Sequence, residues 1–172
     1  MKKITLPLIL CIFAYSTLLS QEISKSPKEK LLEDRIPEWV VPIIEKNKLS
    51  STYIISDTIN PFYLEADFNG DKQNDIAIYV VNKENKKAGI LIIHSKTEVY
   101  HIVAAGKEFG MGDSMSWVKN WKIYRGKTIT SVAQGKKSFP LKNPAIRIVK
   151  SESISAYIYW SGNKYKTFNQ LL

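Results

Sequence analysis

From residue 62 onwards, the chain alternates short apolar runs with short polar segments. The runs are rich in β-branched and aromatic residues, and turn formers such as the Asn-Gly-Asp at 69–71 separate them. This pattern is typical of β-strands joined by tight turns. It predicts strands at 62–66, 76–81, 89–94, 98–104, 117–124, 127–133, 146–150, 153–160 and 164–169.

The connections between the predicted strands indicate how these strands pair. Parallel neighbours need a crossover of about a dozen residues or more, usually a helix. No helical periodicity is visible after residue 60, and the one long loop of this half runs over 106–116. We therefore expect antiparallel meanders.

Residues 21–60 show a different pattern, with two short segments of helical character. Ser26 followed by Pro27 is a helix start, with the serine as N-cap and the proline at the first helical position. Apolar residues at helical spacing predict a second helix over 37–47, and 53–55 is a candidate short strand. The predicted fold class is α+β, mainly an antiparallel β-sheet (meander) with one or two short N-terminal helices.

The N-terminus has the order of a secretory signal peptide. Lys2 and Lys3 precede an apolar run over 4–19, which the small residue Ser20 follows. An uncleaved membrane anchor is the alternative, but the run contains Pro7 and reaches only the short end of the roughly 17–25 residues that a spanning helix needs. We expect cleavage after Ser20, no transmembrane span in the mature chain, and a periplasmic or secreted location.

The chain is thus expected to have three parts: a signal peptide at 1–20, a polar, partly helical segment at 21–36, and a single mainly-β domain at 37–172. The one cysteine, Cys11, lies in the apolar run and lacks the small preceding residues of a lipoprotein signal. It would leave with the signal peptide. The mature chain would then have no thiol for a disulfide, a metal site or a nucleophile.

The charge balance is basic, with 25 Lys and Arg against 16 Asp and Glu and a formal net charge of +9. Such a balance is compatible with nucleic acid, anionic glycans or an anionic membrane surface as partner. The lysines are scattered, and no run of five or more like charges occurs, so we interpret them as a solvated basic surface. Nucleic acid is not an expected partner of an exported protein.

The densest group of oxygen-bearing side chains follows the predicted strand 62–66. Calcium takes six to eight oxygen ligands in flexible geometry, and a loop that offers an oxygen at every second residue can wrap around the ion. The alternative is a metal-free polar turn. We expect one structural calcium ion, Ca²⁺, as the cofactor. The candidate ligands are the side chains of Asp67, Asn69, Asp71 and Asp75 and the backbone carbonyl of Gln73.

This acidic loop resembles the calcium loop of FG-GAP and VCBS-type repeats, written Asp-x-(Asp/Asn)-x-Asp-Gly-x-x-Asp. Its four side chains match the ligand positions, and the run 76–80 matches the strand that follows the loop. The resemblance implies a calcium loop between two strands. Lys72 replaces the family's glycine, its Phe-Gly/Gly-Ala-Pro signature is absent, and one copy excludes a seven-bladed propeller. A helix-loop-helix calcium hand is excluded because its twelfth position, normally glutamate, is Ile78.

Aromatic residues are plentiful towards the C-terminus and suggest a platform for sugar rings. Because alternate strand residues share a face, residues 157 and 159 should lie on one face and residue 160 on the other, while residues 117 and 121 share a face. The alternative is core packing with cross-strand aromatic pairs. The candidate ligand-binding residues are Trp117, Trp121, Tyr157, Tyr159 and Trp160.

No catalytic constellation emerges from the sequence. The segment 112–115 superficially resembles the nucleophile block of GDSL hydrolases, but that resemblance implies a downstream histidine base, and no histidine follows His101. Ser114 without a base would be a poor nucleophile. His94 and His101 are expected to be strand-surface residues, since a zinc site needs three or four protein ligands.

These observations predict an exported, non-enzymatic domain with a structural calcium loop and a binding or structural role in the cell envelope or outside the cell. The alternatives are a carbohydrate- or peptidoglycan-binding module that uses the C-terminal aromatics, an enzyme inhibitor, and a hydrolase whose carboxylates the sequence does not reveal. The expected partner is a glycan or an envelope protein.

Export with cleavage after Ser20 predicts a mature chain that begins at Gln21, because the peptidase removes the basic and apolar regions together. Intact-mass analysis of protein purified from its exporting host checks this. A mass that includes residues 1–20, or a diacylglycerol adduct on Cys11, would contradict the prediction.

Overall fold

The structure is a computed structural model that describes residues 25–131, 137–151 and 154–171. The predicted signal peptide at 1–20, with Cys11 and the cleavage site, lies outside the described residues. The helices are α1 Pro27–Glu33, α2 Val40–Lys46 and α3 Leu49–Thr52. The strands are β1 Tyr53–Ile55, β2 Tyr63–Ala66, β3 Asp75–Asn82, β4 Ala88–Ile93, β5 Tyr100–Ala104, β6 Asn120–Tyr124, β7 Thr128–Ser131, β8 Lys137–Pro140, β9 Ala145–Ser151, β10 Ile154–Trp160 and β11 Tyr165–Leu171.

The first helix begins where the Ser-Pro signal predicts. The Ser26 hydroxyl accepts a hydrogen bond from the Glu29 N–H at 3.2 Å, and a Glu29 carboxylate oxygen accepts one from the Ser26 N–H at 2.7 Å. This reciprocal pair is a capping box. α2 begins at Val40 rather than at 37, so Pro42 lies in its first turn. The N–H groups of the first turn have no acceptor within the helix, so a proline without an N–H loses no hydrogen bond there. α3 is a single turn that the sequence pattern does not predict.

β3 is the central strand of a five-stranded antiparallel sheet, called sheet A. β4 pairs along one edge of β3, and β1 and β2 lie end to end along the other. β5 pairs with β4 and forms the outer edge. The hairpin β2–β3 has Ala66 opposite Asp75, so the acidic loop 67–74 is the connection at the open end of this pair.

A second antiparallel sheet, sheet B, has the strand order β11–β10–β9–β6. β7 and β8 form a separate hairpin between β6 and β9 in sequence. The prediction of a mainly antiparallel α+β fold is confirmed. The strands divide over two sheets and a hairpin, however, and β8 is not among the predicted strands.

Sheet A is the middle layer of the fold. Along β3, Ile76, Ile78 and Val80 pack with the residues of the helices, whereas Ala77 and Tyr79 pack with sheet B. All five are less than 4 % exposed. Burial on both faces explains why the sequence of β3 is a continuous apolar run rather than an alternation of apolar and polar residues.

Sheet B buries both faces as well. Its inner face, which includes Trp121 and Ile158, packs on sheet A. Its outer face carries Tyr157, which packs with Ile129 of the β7–β8 hairpin. The order of the layers is therefore the helices, sheet A, sheet B and the β7–β8 hairpin.

No helix among the described residues has the length and apolar character to cross a bilayer.

Candidate functional site

The acidic loop is folded around the carboxylate of Asp67. One oxygen of this carboxylate accepts hydrogen bonds from the N–H groups of Gly70 at 2.6 Å and Asp71 at 3.0 Å. The other accepts the N–H of Lys72 at 2.9 Å. Three successive backbone N–H groups thus point at one side chain, which fixes the turn.

Asn69 and Asp71 form the outer part of the loop. The Asn69 amide oxygen accepts the Asp71 N–H at 2.9 Å, and its amide nitrogen donates to an Asp71 carboxylate oxygen at 2.9 Å. The Gln73 N–H donates to the other Asp71 oxygen at 2.9 Å. Partial burial would raise the pKa of Asp71, but the hydrogen bonds from Asn69 and Gln73 outweigh it and hold this pKa below its usual value.

Asp75 closes the loop at the start of β3 and is fully buried, with 0 % exposure. It accepts the N–H groups of Phe68 at 3.0 Å and Asn69 at 3.2 Å on one oxygen and that of Ser95 at 3.2 Å on the other. Burial, with a smaller contribution from the nearby charge of Asp71, nevertheless raises the pKa of Asp75 to about 6. The carboxylate joins the loop to the turn after β4.

Lys72, which stands where FG-GAP-type loops have glycine, adopts the backbone conformation that glycine favours. Its φ is +72°, and that of Gly70 is +85°. A left-handed conformation disfavours residues with a Cβ by roughly 1–2 kcal/mol. Lys72 therefore has the left-handed backbone conformation that a glycine adopts readily.

The structure brings all five predicted metal ligands into this one loop. Its three carboxylates accept backbone N–H groups, and no group of three or more His, Cys, Asp and Glu side chains in the described ranges is arranged to hold a metal ion. The Asn69 amide oxygen and the Gln73 carbonyl are oxygen donors of other kinds, which a calcium site can use beside carboxylates. Calcium binding remains a prediction.

A cluster of aromatic and imidazole rings adjoins the loop. His94 follows β4, directly before Ser95, and its Nε2 lies 2.8 Å from the Tyr165 hydroxyl. The ring centroids of His101 and Trp160 lie 4.8 and 4.9 Å from that of His94. We call His94, His101, Trp160 and Tyr165 the histidine cluster.

Burial disfavours the charged forms of the titrating groups in the histidine cluster. Burial and, to a smaller extent, the nearby His101 lower the pKa of His94 to about 4, while the charges of Asp71 and Asp67 oppose the shift. Burial also raises the pKa of the Tyr165 hydroxyl, and the charges of Asp75 and Asp67 add to this rise. The acidic loop therefore acts electrostatically on both groups.

The expectation that both histidines lie on a strand surface is wrong for His94, which is 3 % exposed. The antiparallel pairing of β4 with β5, with Ile92 opposite His101, brings the second histidine close to the first. The sequence indicates this proximity only in part, since it predicts a hairpin with His94 at the end of its first strand and His101 within its second. The partner strand, β11, comes from sheet B, and nothing local in the sequence reveals it.

The five C-terminal aromatics do not form one exposed platform. Trp121 and Tyr157 are 1 % and 4 % exposed and belong to different cores. Tyr159 shares the outer face with Tyr157, and Trp160 packs on the inner side, as strand alternation predicts. Trp117 lies before β6 rather than in it and packs beneath Lys150.

Ser114 lies in the loop between β5 and β6, and its hydroxyl donates to the Ser116 hydroxyl at 3.3 Å. Its side-chain hydrogen bonds in the described part of the chain include none to a base.

No protein-family model matches the chain, and neither a curated protein nor a solved structure matches it.

The positive φ of Lys72 predicts that Lys72→Gly does not destabilise the apo protein and stabilises it by up to about 1 kcal/mol, because glycine removes the left-handed strain. Lys96→Gly, at an exposed turn position without a positive φ, is the matched control and should cost about 0.4–1 kcal/mol, because glycine increases the conformational freedom of the unfolded chain. Urea unfolding measures both. Equal destabilisation by the two changes would contradict the loop geometry.

The lowered pKa of His94 predicts a pH-dependent stability contribution. The pKa of this imidazole is near its ordinary value of 6.5 in the unfolded chain and about 4 in the folded chain, so the contribution is complete above pH 6.5 and is lost as the pH falls towards 4. The stability difference between wild type and His94→Gln should shrink by about 1–2 kcal/mol from pH 7 to pH 5.

Urea unfolding in chelator at the two pH values measures this difference. Asp75 has the opposite dependence, since its raised pKa favours the folded state at low pH, but it is present in both proteins and cancels. Trp160→Phe changes the same cluster without a titrating group, and its effect should not vary with pH. A pH-independent cost of His94→Gln would show that this imidazole is not held neutral.

Proposed function

We propose that this protein is an exported, non-enzymatic binding domain in which one calcium ion stabilises the fold. The observation that carries the proposal is the acidic loop, which gathers three carboxylates and an amide side chain at the start of the central strand. Export rests on the N-terminal signal pattern, and the binding role on the absence of a recognised catalytic arrangement in the sequence.

The location of the loop explains why an ion there would matter to the whole domain. Asp67, Asp71 and Asp75 would repel one another without a cation, and Asp75 is buried at 0 % exposure. A divalent cation bound between them would offset both the repulsion and the cost of the buried charge. Because β3 lies between β4 and the strands β1 and β2, this gain would reach most of sheet A.

The ligands proposed for the ion are the carboxylates of Asp67, Asp71 and Asp75, the Asn69 amide oxygen and the Gln73 carbonyl. Each carboxylate already accepts hydrogen bonds from backbone N–H groups, so it would bind the ion through its remaining lone pairs or after turning towards it. Calcium suits this set better than magnesium, because magnesium demands near-ideal octahedral geometry and keeps several of its waters.

Glycan binding through the C-terminal aromatics receives no support from a specific contact. Trp121 and Tyr157 pack in cores, Tyr159 packs against Phe139, and Trp160 packs on the other rings of the histidine cluster. We therefore place the binding role elsewhere on the surface.

Calcium should raise the melting temperature by several degrees over a chelated sample. An ion that binds only the folded state stabilises it by about 2.7 kcal/mol at a hundredfold excess over Kd. Each kcal/mol shifts the melting temperature of a domain of this size by roughly 2–4 °C. Scanning calorimetry in millimolar calcium, in magnesium and in chelator measures the shift, and magnesium should give less.

Asp71→Ala should remove most of the calcium-dependent shift while leaving the chelated protein unchanged or slightly more stable, since repulsion is relieved. Asp57→Ala is the matched control, because Asp57 is an exposed aspartate that pairs with Lys28 away from the loop. It should keep the full shift. Identical melting temperatures of the wild type in calcium and in chelator would contradict the calcium site and show that the loop is a metal-free polar turn.

A further inference from the structure

No strand of the described residues pairs with the outer edge of β5. Val99 and Ala105, which flank this strand, bond through their backbone to His94 and Ala88 on the side of β4. Successive residues of an antiparallel strand alternate between its two edges, so Tyr100 and Ile102 direct their N–H and C=O groups away from β4. Neither makes a backbone hydrogen bond on that side with any residue that the structure describes.

This edge forms one wall of a groove of about 420 Å³. The loop after β5 contributes Lys107 and Phe109 to the groove, and the start of β11 contributes Lys164 and Tyr165. The groove thus has a strand edge, three aromatic rings and two lysines, and no carboxylate residue of the described ranges lines it.

A further observation indicates a site that accepts a partner. Large hydrophobic side chains that are exposed in the described ranges are few, and two of them, Val99 at 48 % and Tyr100 at 38 %, lie at the start of this edge. Exposed apolar side chains beside an unpaired strand edge are typical of an interaction site.

We infer that the β5 edge binds an extended, acidic segment of another protein by strand addition. The outward backbone groups of Tyr100 and Ile102 pair with the backbone of this segment, as in β-augmentation. Apolar side chains of the segment contact Phe109 and Tyr165, and its carboxylates pair with Lys107 and Lys164. The inference rests on the proposed binding role and is independent of the calcium ion.

Charge favours this occupant over a second copy of the chain. The protein carries a net charge of +9, and the two lysines flank the edge, so two copies that approached through β5 would repel each other. An acidic strand meets the opposite potential. The same lysines predict that binding weakens as salt screens the charges.

The test uses fluorescent octapeptides in which Val, Ile, Tyr or Phe alternate with Glu or Asp, and it measures their binding to the full mature chain by anisotropy at low salt. Matched peptides carry Lys in place of the acids, or N-methyl groups at alternate residues that block strand pairing. At least one acidic peptide should bind, and both matched forms should bind at least about tenfold more weakly.

Variants of the protein separate backbone pairing from charge. Tyr100→Pro removes an outward N–H and leaves the bonds to β4 in place, whereas Tyr100→Val keeps the N–H and loses the ring. Tyr100→Pro should weaken binding at least tenfold and Tyr100→Val much less. Lys107→Glu with Lys164→Glu should also weaken binding tenfold or more, while Lys119→Glu with Lys122→Glu, at exposed positions elsewhere, should not. Circular dichroism and melting curves confirm that each variant is folded.

Hydrogen exchange gives a second measurement that does not depend on a variant. The Tyr100 and Ile102 amides should become protected when the acidic peptide is added. Absence of binding by every acidic peptide, equal binding by the N-methylated form, or concentration-dependent dimers that Tyr100→Pro abolishes would each overturn the inference. The measurements are repeated in calcium and in chelator. A protein that binds the peptide equally in both, without a calcium-dependent melting temperature, would contradict the calcium site and leave the β5 site intact, so failure of one proposal can be told from failure of the other.

Discussion

The fold depends on how one buried carboxylate is compensated at the start of its central strand. Asp75 has no exposed surface, yet it begins β3, whose next residues belong to both cores on the two faces of sheet A. Three backbone N–H groups, from the loop and from the turn after β4, converge on it. The loop therefore holds β2, β3 and β4 together at one end, and its shape is a requirement of the sheet.

Much of this architecture follows from local sequence. Ser26 and Pro27 specify the start of α1, and the short β-branched runs specify nearly all of the strands, because these signals act over a few residues. Spacing alone also points to the acidic residues that meet in the loop. It does not reveal the division into two sheets, since period-two alternation shows which residues share a face but not which faces meet. β8 and α3 are too short to give a period.

The histidine cluster shows where sequence reasoning ends. His94 and Tyr165 are 71 positions apart, and their hydrogen bond exists only because sheet B packs β11 over β4 and β5. The pKa of His94 is low because the side chain is buried, and the residues near His94 in the sequence do not predict this burial. Long-range packing thus produced the polar contacts that link the acidic loop to the side of the fold where β5 is open.

An open strand edge is a liability, because it can pair with any exposed strand, including that of another copy. Proteins reduce this risk with charged residues, and here Lys107 and Lys164 stand beside the short edge of β5. In a chain with a net charge of +9, these lysines disfavour self-pairing and at the same time select a partner of opposite charge. The same two lysines therefore protect against aggregation and give specificity, because they repel basic strands and attract acidic ones.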